Sequence, residues 1–274
     1  MKGLWIISII LLSYVARAQD NETHFKDTRV VNGYSTEVER KGYLKFIISH
    51  RFGAFNNDFL GNFFGLDNAE VRLGLDYGLT KNLTIGAGRS TLNKAFDGYL
   101  KWKICNQKQG VPVTITLLNS LVYRTLDNLS IPDNDTPINR LSYSYEAYFS
   151  RLFGDRLAVQ LSPILTYRNL VTLSEENHMV YTQGLTIGYK LTQKVAINLE
   201  YFYTPDGQNQ DITTNPLSLG IDFGTSGHVF QLFFSNAQAV TSPYFVNSTT
   251  GNWLDGDIFF GFNISRAFRI KAYK

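Results

Sequence analysis

A single cysteine, Cys105, stands in 274 residues, so no intramolecular disulfide framework holds this chain together. With only 4 histidines beside that thiol, a structural zinc site lacks its usual ligand set. Neither a metal nor any other cofactor is expected. Charge is sparse, with Asp, Glu, Lys and Arg making up 18% against about 25% in ordinary globular domains. No sign of charge dominates. Taking Lys2 and Arg17 from the 26 basic residues leaves 24 against 23 acids. A nucleic-acid partner, which requires a basic face, is therefore not expected. Long apolar runs are missing after residue 18, so any entry into a membrane is not made with helices of ~20 residues.

One short apolar run exists. Residues 4–15, LWIISIILLSYV, follow Lys2 and precede Ala16-Arg17-Ala18. A charged start, an apolar stretch too short to span a bilayer and a small-x-small site predict a cleaved signal peptide over 1–18. Export from the cytoplasm follows. Residues 19–41 read as a polar arm, either periplasmic or folded into a lumen as a plug. Residues 42–274 read as one β domain.

What the chain has in plenty is aromatic residues, 14%, and strict alternation. In residues 69–79, Ala69, Val71, Leu73, Leu75, Tyr77 and Leu79 hold one parity. Glu70, Arg72, Gly74, Asp76 and Gly78 hold the other. A period of 2 makes a strand with one apolar face, which a helix cannot reproduce. The same pattern recurs and predicts twelve strands, near 43–52, 68–79, 83–90, 96–105, 112–124, 140–151, 157–168, 179–191, 195–203, 217–224, 228–235 and 254–268. Most approach the ~9–11 tilted residues that cross a bilayer.

The connections carry separate information. Those at 53–67, 125–139, 169–178, 204–216 and 236–253 are long. Those at 80–82, 106–111, 152–156, 192–194 and 225–227 are short, and only 91–95 breaks the alternation. Outer-membrane barrels combine short periplasmic turns with long outer loops in this way. Segments 125–139 and 236–253 are thus expected on the cell surface, with both termini in the periplasm. Aromatics on the apolar parity gather at strand ends. Phe52, Tyr123, Tyr167 and Tyr203 mark upper ends, and Tyr77, Phe149, Tyr189, Phe223 and Phe268 lower ones. Two interfacial girdles follow. The expected fold is a transmembrane up-and-down antiparallel β-barrel of about twelve strands. The alternative is a soluble secreted β protein with the apolar parity turned inward.

The stretches FKDTRVVNGYSTE (25–37), ISHRFG (48–53), GTSGHVFQLFFSN (224–236) and GFNISR (261–266) resemble an uncharacterised family of outer-membrane β-barrel proteins from the Bacteroidota, known as a domain of unknown function. The resemblance implies a barrel in the cell envelope. It brings no substrate, activity or catalytic residue.

On the polar parity, Arg51, Arg124 and Arg168 fall at upper strand ends, and Glu70 lies beside Arg51. They are the candidate lumen or mouth residues. Arginines at a mouth focus potential on anions, which admits a small anionic solute as a partner beside the bilayer itself. The plainer reading is structural ion pairing, with Arg51–Glu70 as the natural pair. A hydrolytic reading is the rival, because some twelve-stranded barrels are lipid hydrolases with a Ser–His–Asn/Asp arrangement on the outer wall. His50 and Asn119 share the lipid-facing parity, but no convincing rim serine accompanies them. The expected function is a narrow or plugged small-solute channel or a structural envelope component, with no enzymatic activity. A lipid hydrolase is the alternative.

Overall fold

The computed structural model describes residues 23–270 apart from 56–59, 62, 64, 109, 128–135, 172–175 and 206–212. The leader expected over 1–18 lies outside them. The alternating segments form β1 (Tyr43–Ala54), β2 (Glu70–Gly78), β3 (Leu83–Ser90), β4 (Phe96–Cys105), β5 (Thr114–Tyr123) and β6 (Leu141–Phe153). The second half supplies β7 (Leu157–Arg168), β8 (Met179–Lys190), β9 (Val195–Tyr203), β10 (Leu217–Gly224), β11 (His228–Ser235) and β12 (Phe259–Arg269). Each strand pairs antiparallel with its neighbour in sequence, and β12 pairs back onto β1 through Ile48↔Ile264 and His50↔Phe262. Closure leaves no strand edge, the condition for a sheet to sit in hydrocarbon. Among the described residues no helix is long and apolar enough to cross a membrane.

The parity runs as the sequence predicts, with the apolar face outward. Leu73 and Leu75 are 49% and 47% exposed, while Arg72 and Asp76 between them are fully buried. Only a membrane makes that arrangement favourable, since it turns leucine out and arginine in. The soluble reading, which put the apolar parity inside, is thereby corrected. The upper-end aromatics Phe52, Tyr123, Tyr167 and Tyr203 lie on the outer wall, with Phe52 stacked on Phe260 at 5.5 Å.

The structure departs from expectation in two places. The last strand begins at Phe259 rather than 254, because Trp253–Asp255 forms a 3₁₀ turn. The Asn252 side chain caps that turn, and Gly256 ends it at φ 79°. More consequentially, much of 236–253 is not a surface loop. It turns into the barrel and forms the short helix α1 (Ser242–Ser248), whose Pro243, Phe245 and Val246 are buried.

The inward glycines make room for side chains rather than for turns. A Cβ on Gly86 would lie 2.1 Å from Cζ of Tyr99, and one on Gly74 only 2.4 Å from Nη1 of Arg72. Two neighbouring substitutions therefore fail for different reasons. Leu73→Arg puts a charge on the lipid face at a cost of ~2–4 kcal/mol. Gly74→Ser overfills the lumen against the buried Arg72 at ~1–3 kcal/mol. Urea unfolding in lipid vesicles measures both. An undiminished stability of Gly74→Ser would mean that Arg72 does not occupy that space.

Candidate functional site

Inward parity gives the wall a polar lining, and the chain fills the space it encloses from both ends. From below, residues 23–41 enter as a hairpin closed by the Arg29↔Tyr34 bridge and a Val30 N–H to Gly33 C=O bond of 3.0 Å. Its tip carries orphan backbone groups into the interior, where the wall meets several of them. The Glu200 carboxylate of β9 accepts from the N–H groups of Asn32 and Gly33 at 2.7 and 3.3 Å. Arg51 of β1 donates to Val31 C=O and Asn32 Oδ1 at 3.2 and 3.0 Å, and to Asn263 Oδ1 at 3.1 Å. The Asn32 amide donates to Ser218 and Ser235 hydroxyls at 3.0 Å each. Gly33 is the residue that fits here, since a Cβ would lie 2.8 Å from the Phe202 ring.

Lower down, charges pair. Lys45 reaches Asp27 at 2.6 Å and Glu39 at 2.8 Å, and Lys103 reaches Glu37 at 3.2 Å. Lys101 donates to Thr28 C=O at 2.9 Å, Thr116 to Thr36 C=O at 2.9 Å, and Gln160 to Tyr34 C=O at 2.9 Å. On the wall itself Arg72 makes a two-pronged contact with Asp97, its Nε at 2.8 Å. Burial raises the Asp27 carboxyl, but Lys45 and the hydroxyl of Ser265 outweigh it and leave the group below its ordinary range. Glu37 is likewise held below its ordinary range, burial being overcome by Lys103 and His24. Burial lowers His24 to about 4, opposed by Glu37 and aided by Lys103 and Lys190.

From above, residues 237–251 descend between β11 and β12. This second plug is largely apolar where it meets the wall. Phe245 packs edge-on against Phe202 at 4.9 Å, beside Ile164, Ala237 and Val246. Asn247 adds a bond to Thr166 at 2.8 Å. The two plugs meet inside the barrel, where Arg29 donates to Val240 C=O at 3.1 Å and to the Tyr34 hydroxyl. Its guanidinium lies 4.0 Å from the centre of the Tyr34 ring.

The four candidate mouth residues separate. Arg51 is fully buried on the hairpin tip, because β1 continues three residues beyond it and the tip offers carbonyl groups. Glu70 does not bond to Arg51, although the two face each other in the β1–β2 register. Its carboxylate accepts from the Thr91 hydroxyl at 2.6 Å. Arg124 and Arg168 do come together, with Arg140 and Tyr244, around an outer vestibule of about 310 Å³. There Arg168 pairs with Glu176 at 2.5 Å and Arg140 with Asp127 at 2.7 Å. Parity places Glu200 in the lumen without showing its partner, and nothing in the pattern singles out Arg29 or the upper plug. A signal for the plug is present, since Ala237, Ala239, Val240, Phe245 and Val246 are too apolar for a surface loop, and Thr241-Ser242-Pro243 reads as a helix start.

The hydrolytic arrangement is not assembled. His50 stacks on Phe262 at 4.9 Å on β1. Asn119 lies on β5, four strands away in the barrel order, or roughly 19 Å at the usual strand spacing.

Known barrels share this architecture. The NanC porin superposes with a TM-score of 0.52 at 8% identity, over 81% of this chain and 98% of its own. The COG4313 outer membrane channel from Pseudomonas putida F1 gives 0.51 at 14% identity, over 85% and 97%. The KdgM porin in complex with disordered oligogalacturonate gives 0.50 at 10%, over 82% and 99%. No curated protein matches the chain in sequence. The family described as "Membrane bound beta barrel domain (DUF5777)" matches residues 25–268, the span from the plug hairpin to the closing strand. This chain therefore belongs to that family of membrane-bound β-barrels.

Proposed function

We propose that the protein is an outer-membrane channel for small anionic solutes, kept shut by its own N-terminal hairpin and opened when that hairpin leaves the lumen. The observation that carries this reading is the character of the plug interface. The hairpin is held mainly by hydrogen bonds and ion pairs to a polar wall, with two small apolar clusters, one around Phe25, Val30 and Val31 and one where Tyr34 meets Tyr99, Leu118 and Tyr148. Polar surfaces of this kind are wetted at modest cost when they separate, unlike a packed apolar core. A vacated lumen would have a mixed lining, with Arg51, Arg72 and Lys101 beside Asp76, Asp97, Glu146, Glu200 and Asp222, and it is the outer entrance, with Arg124, Arg140 and Arg168, that favours anions. Arginines there raise the local concentration of anions. Anionic oligogalacturonate is the ligand of one structurally similar porin, which supports the solute class. The leader over 1–18 and a cleavage after Ala18 belong to the same proposal and provide the route to the outer membrane.

Single-channel recording in planar bilayers tests it. Thr36 and Ser150 approach within 2.7 Å through their hydroxyls, so cysteines at both positions, in a Cys105→Ser background, should lock the hairpin to β6 as a disulfide. The oxidised pair should stay closed, and reductant should restore the openings of the unlocked protein. Deleting 24–37 should give a steady, anion-preferring conductance limited by the width beside α1. A barrel that serves only as a structural envelope component would show no current in any of these forms.

The arm's titratable groups give a second test with a fixed sign. Docked His24 titrates at about 4, against 6.5 for a free imidazole. Asp27 and Glu37 are also lowered in the docked state. For these three groups the released hairpin binds more protons, so their support of docking is full above about pH 6.5 and weakens as pH falls. Open probability should rise from pH 6.5 towards 4, and further through the carboxylate range. His24→Gln should remove the upper part of that rise and leave the lower. A flat profile would show that the hairpin does not leave the lumen.

A further inference from the structure

Two of the carboxamides on the strands face the lipid. Gln160, Asn198, Gln231 and Asn263 point into the lumen, whereas Asn119 of β5 and Gln183 of β8 stand on the outward parity. The wall satisfies Gln183 locally. Its oxygen accepts from the Tyr181 hydroxyl at 3.0 Å and its nitrogen donates to Gly184 C=O at 2.9 Å. Asn119 is exposed, and its side chain has no hydrogen-bond partner among the described residues. The same holds for the hydroxyl of Tyr145, its direct neighbour across the β5–β6 register. Tyr145 is 55% exposed, more than Tyr167, Tyr181, Tyr189, Tyr201 or Tyr203 on the same outer wall.

Depth makes this costly. The outward residues of β5 run Ile115, Leu117, Asn119, Leu121, Tyr123. Asn119 is the middle one, four residues from each end, or about 13 Å along the strand. With the usual tilt that places it near the midplane of an apolar band ~25 Å tall. Neither headgroups nor water reach it there, and acyl chains offer no donor or acceptor.

We infer that the outer wall around β5 is a contact surface for a second copy of the chain in the membrane. A carboxamide carries a donor and an acceptor, and so does a phenol, so both are complementary to themselves. A two-fold axis along the membrane normal at this point pairs Asn119 with the partner's Asn119 and satisfies both tyrosine hydroxyls at once. The same axis sets each Tyr145 across from the other copy's β4, beside the Asn119 pair, because a two-fold reverses the strand order across the contact. The outward residues around the axis, Leu100, Leu117, Leu121 and Ala147, carry no charge, so the surface does not ask for a partner of opposite sign. Small residues such as Ala147 allow two walls to come close, as they do between membrane helices.

Cross-linking in native membranes tests this without relying on the function proposed above. In a Cys105→Ser background, Asn119→Cys should oxidise to a disulfide-linked species of twice the chain mass. Leu219→Cys, outward on β10, should not. In detergent, sedimentation should show wild-type dimers, with Asn119→Gln retaining them. Asn119→Leu should weaken association about tenfold, the factor expected for one lost membrane hydrogen bond, with its heat-modifiable folding unchanged. Should Asn119→Leu misfold, the cysteine comparison still decides. The inference is overturned if position 119 cross-links no more than 219. It is equally overturned if folded Asn119→Leu associates like wild type, or if the adduct at 119 contains a different protein.

Discussion

Closure of β12 onto β1 is the constraint from which the rest follows. A backbone group without a partner in hydrocarbon costs several kcal/mol, so a sheet enters a membrane only when its last edge is paired. The registers Ile48↔Ile264 and His50↔Phe262 provide that pairing, and antiparallel closure with twelve strands fixes the size of the interior. About eight strands enclose a space that side chains alone fill. Twelve enclose more, and the surplus must hold water or chain. Here it holds chain, since residues 23–41 and 237–251 both turn inward.

Why the lower plug is polar follows from the wall it meets. One parity of every strand faces lipid and takes the apolar side chains, which leaves polar ones for the lumen. Charges so enclosed are tolerable only when paired and hydrogen-bonded. Arg72 answers this within the wall through Asp97. Lys45, Lys103, Arg51 and Glu200 answer it through the hairpin. Hairpin and wall are thus mutually required, because removing either leaves buried charge that only water can satisfy.

Local pattern made the barrel legible. A period of 2 states which face of each strand is apolar, and alternation of loop length states which end is which. Both are contained in short windows such as 69–79. Pattern could not show where a polar segment goes once the barrel has closed. The arm read equally well as periplasmic or as plug, and contacts such as Asn32 with Glu200, 168 residues apart, decide between the two. Arg51 illustrates the same limit. Its parity was legible but its height was not, because β1 runs on to Ala54 and the hairpin tip competes with Glu70 for the guanidinium. The upper plug departs from expectation for a different reason. Loop length suggests exposure, whereas the apolar residues within 237–246 are what the barrel buries.

The two plugs differ in a way that orders their release. The upper one is joined to strands at both ends, β11 and β12, and rests on an apolar cluster of Phe202, Phe245, Ile164 and Val246. Acid does not weaken such a cluster, and withdrawing it would expose aromatic surface to water. The lower one is joined, among the described residues, to β1, and beside two small apolar clusters its contacts are ones that protons and water can replace. The Arg29 bond to Val240 is then the point where one plug senses the other. When the hairpin leaves, that carbonyl loses its donor and Arg29 leaves with the arm, while the Phe245–Phe202 contact persists. In the gating proposed for this barrel the lower element would open first, and the width left beside α1, rather than the full barrel, would set the size of solute that passes.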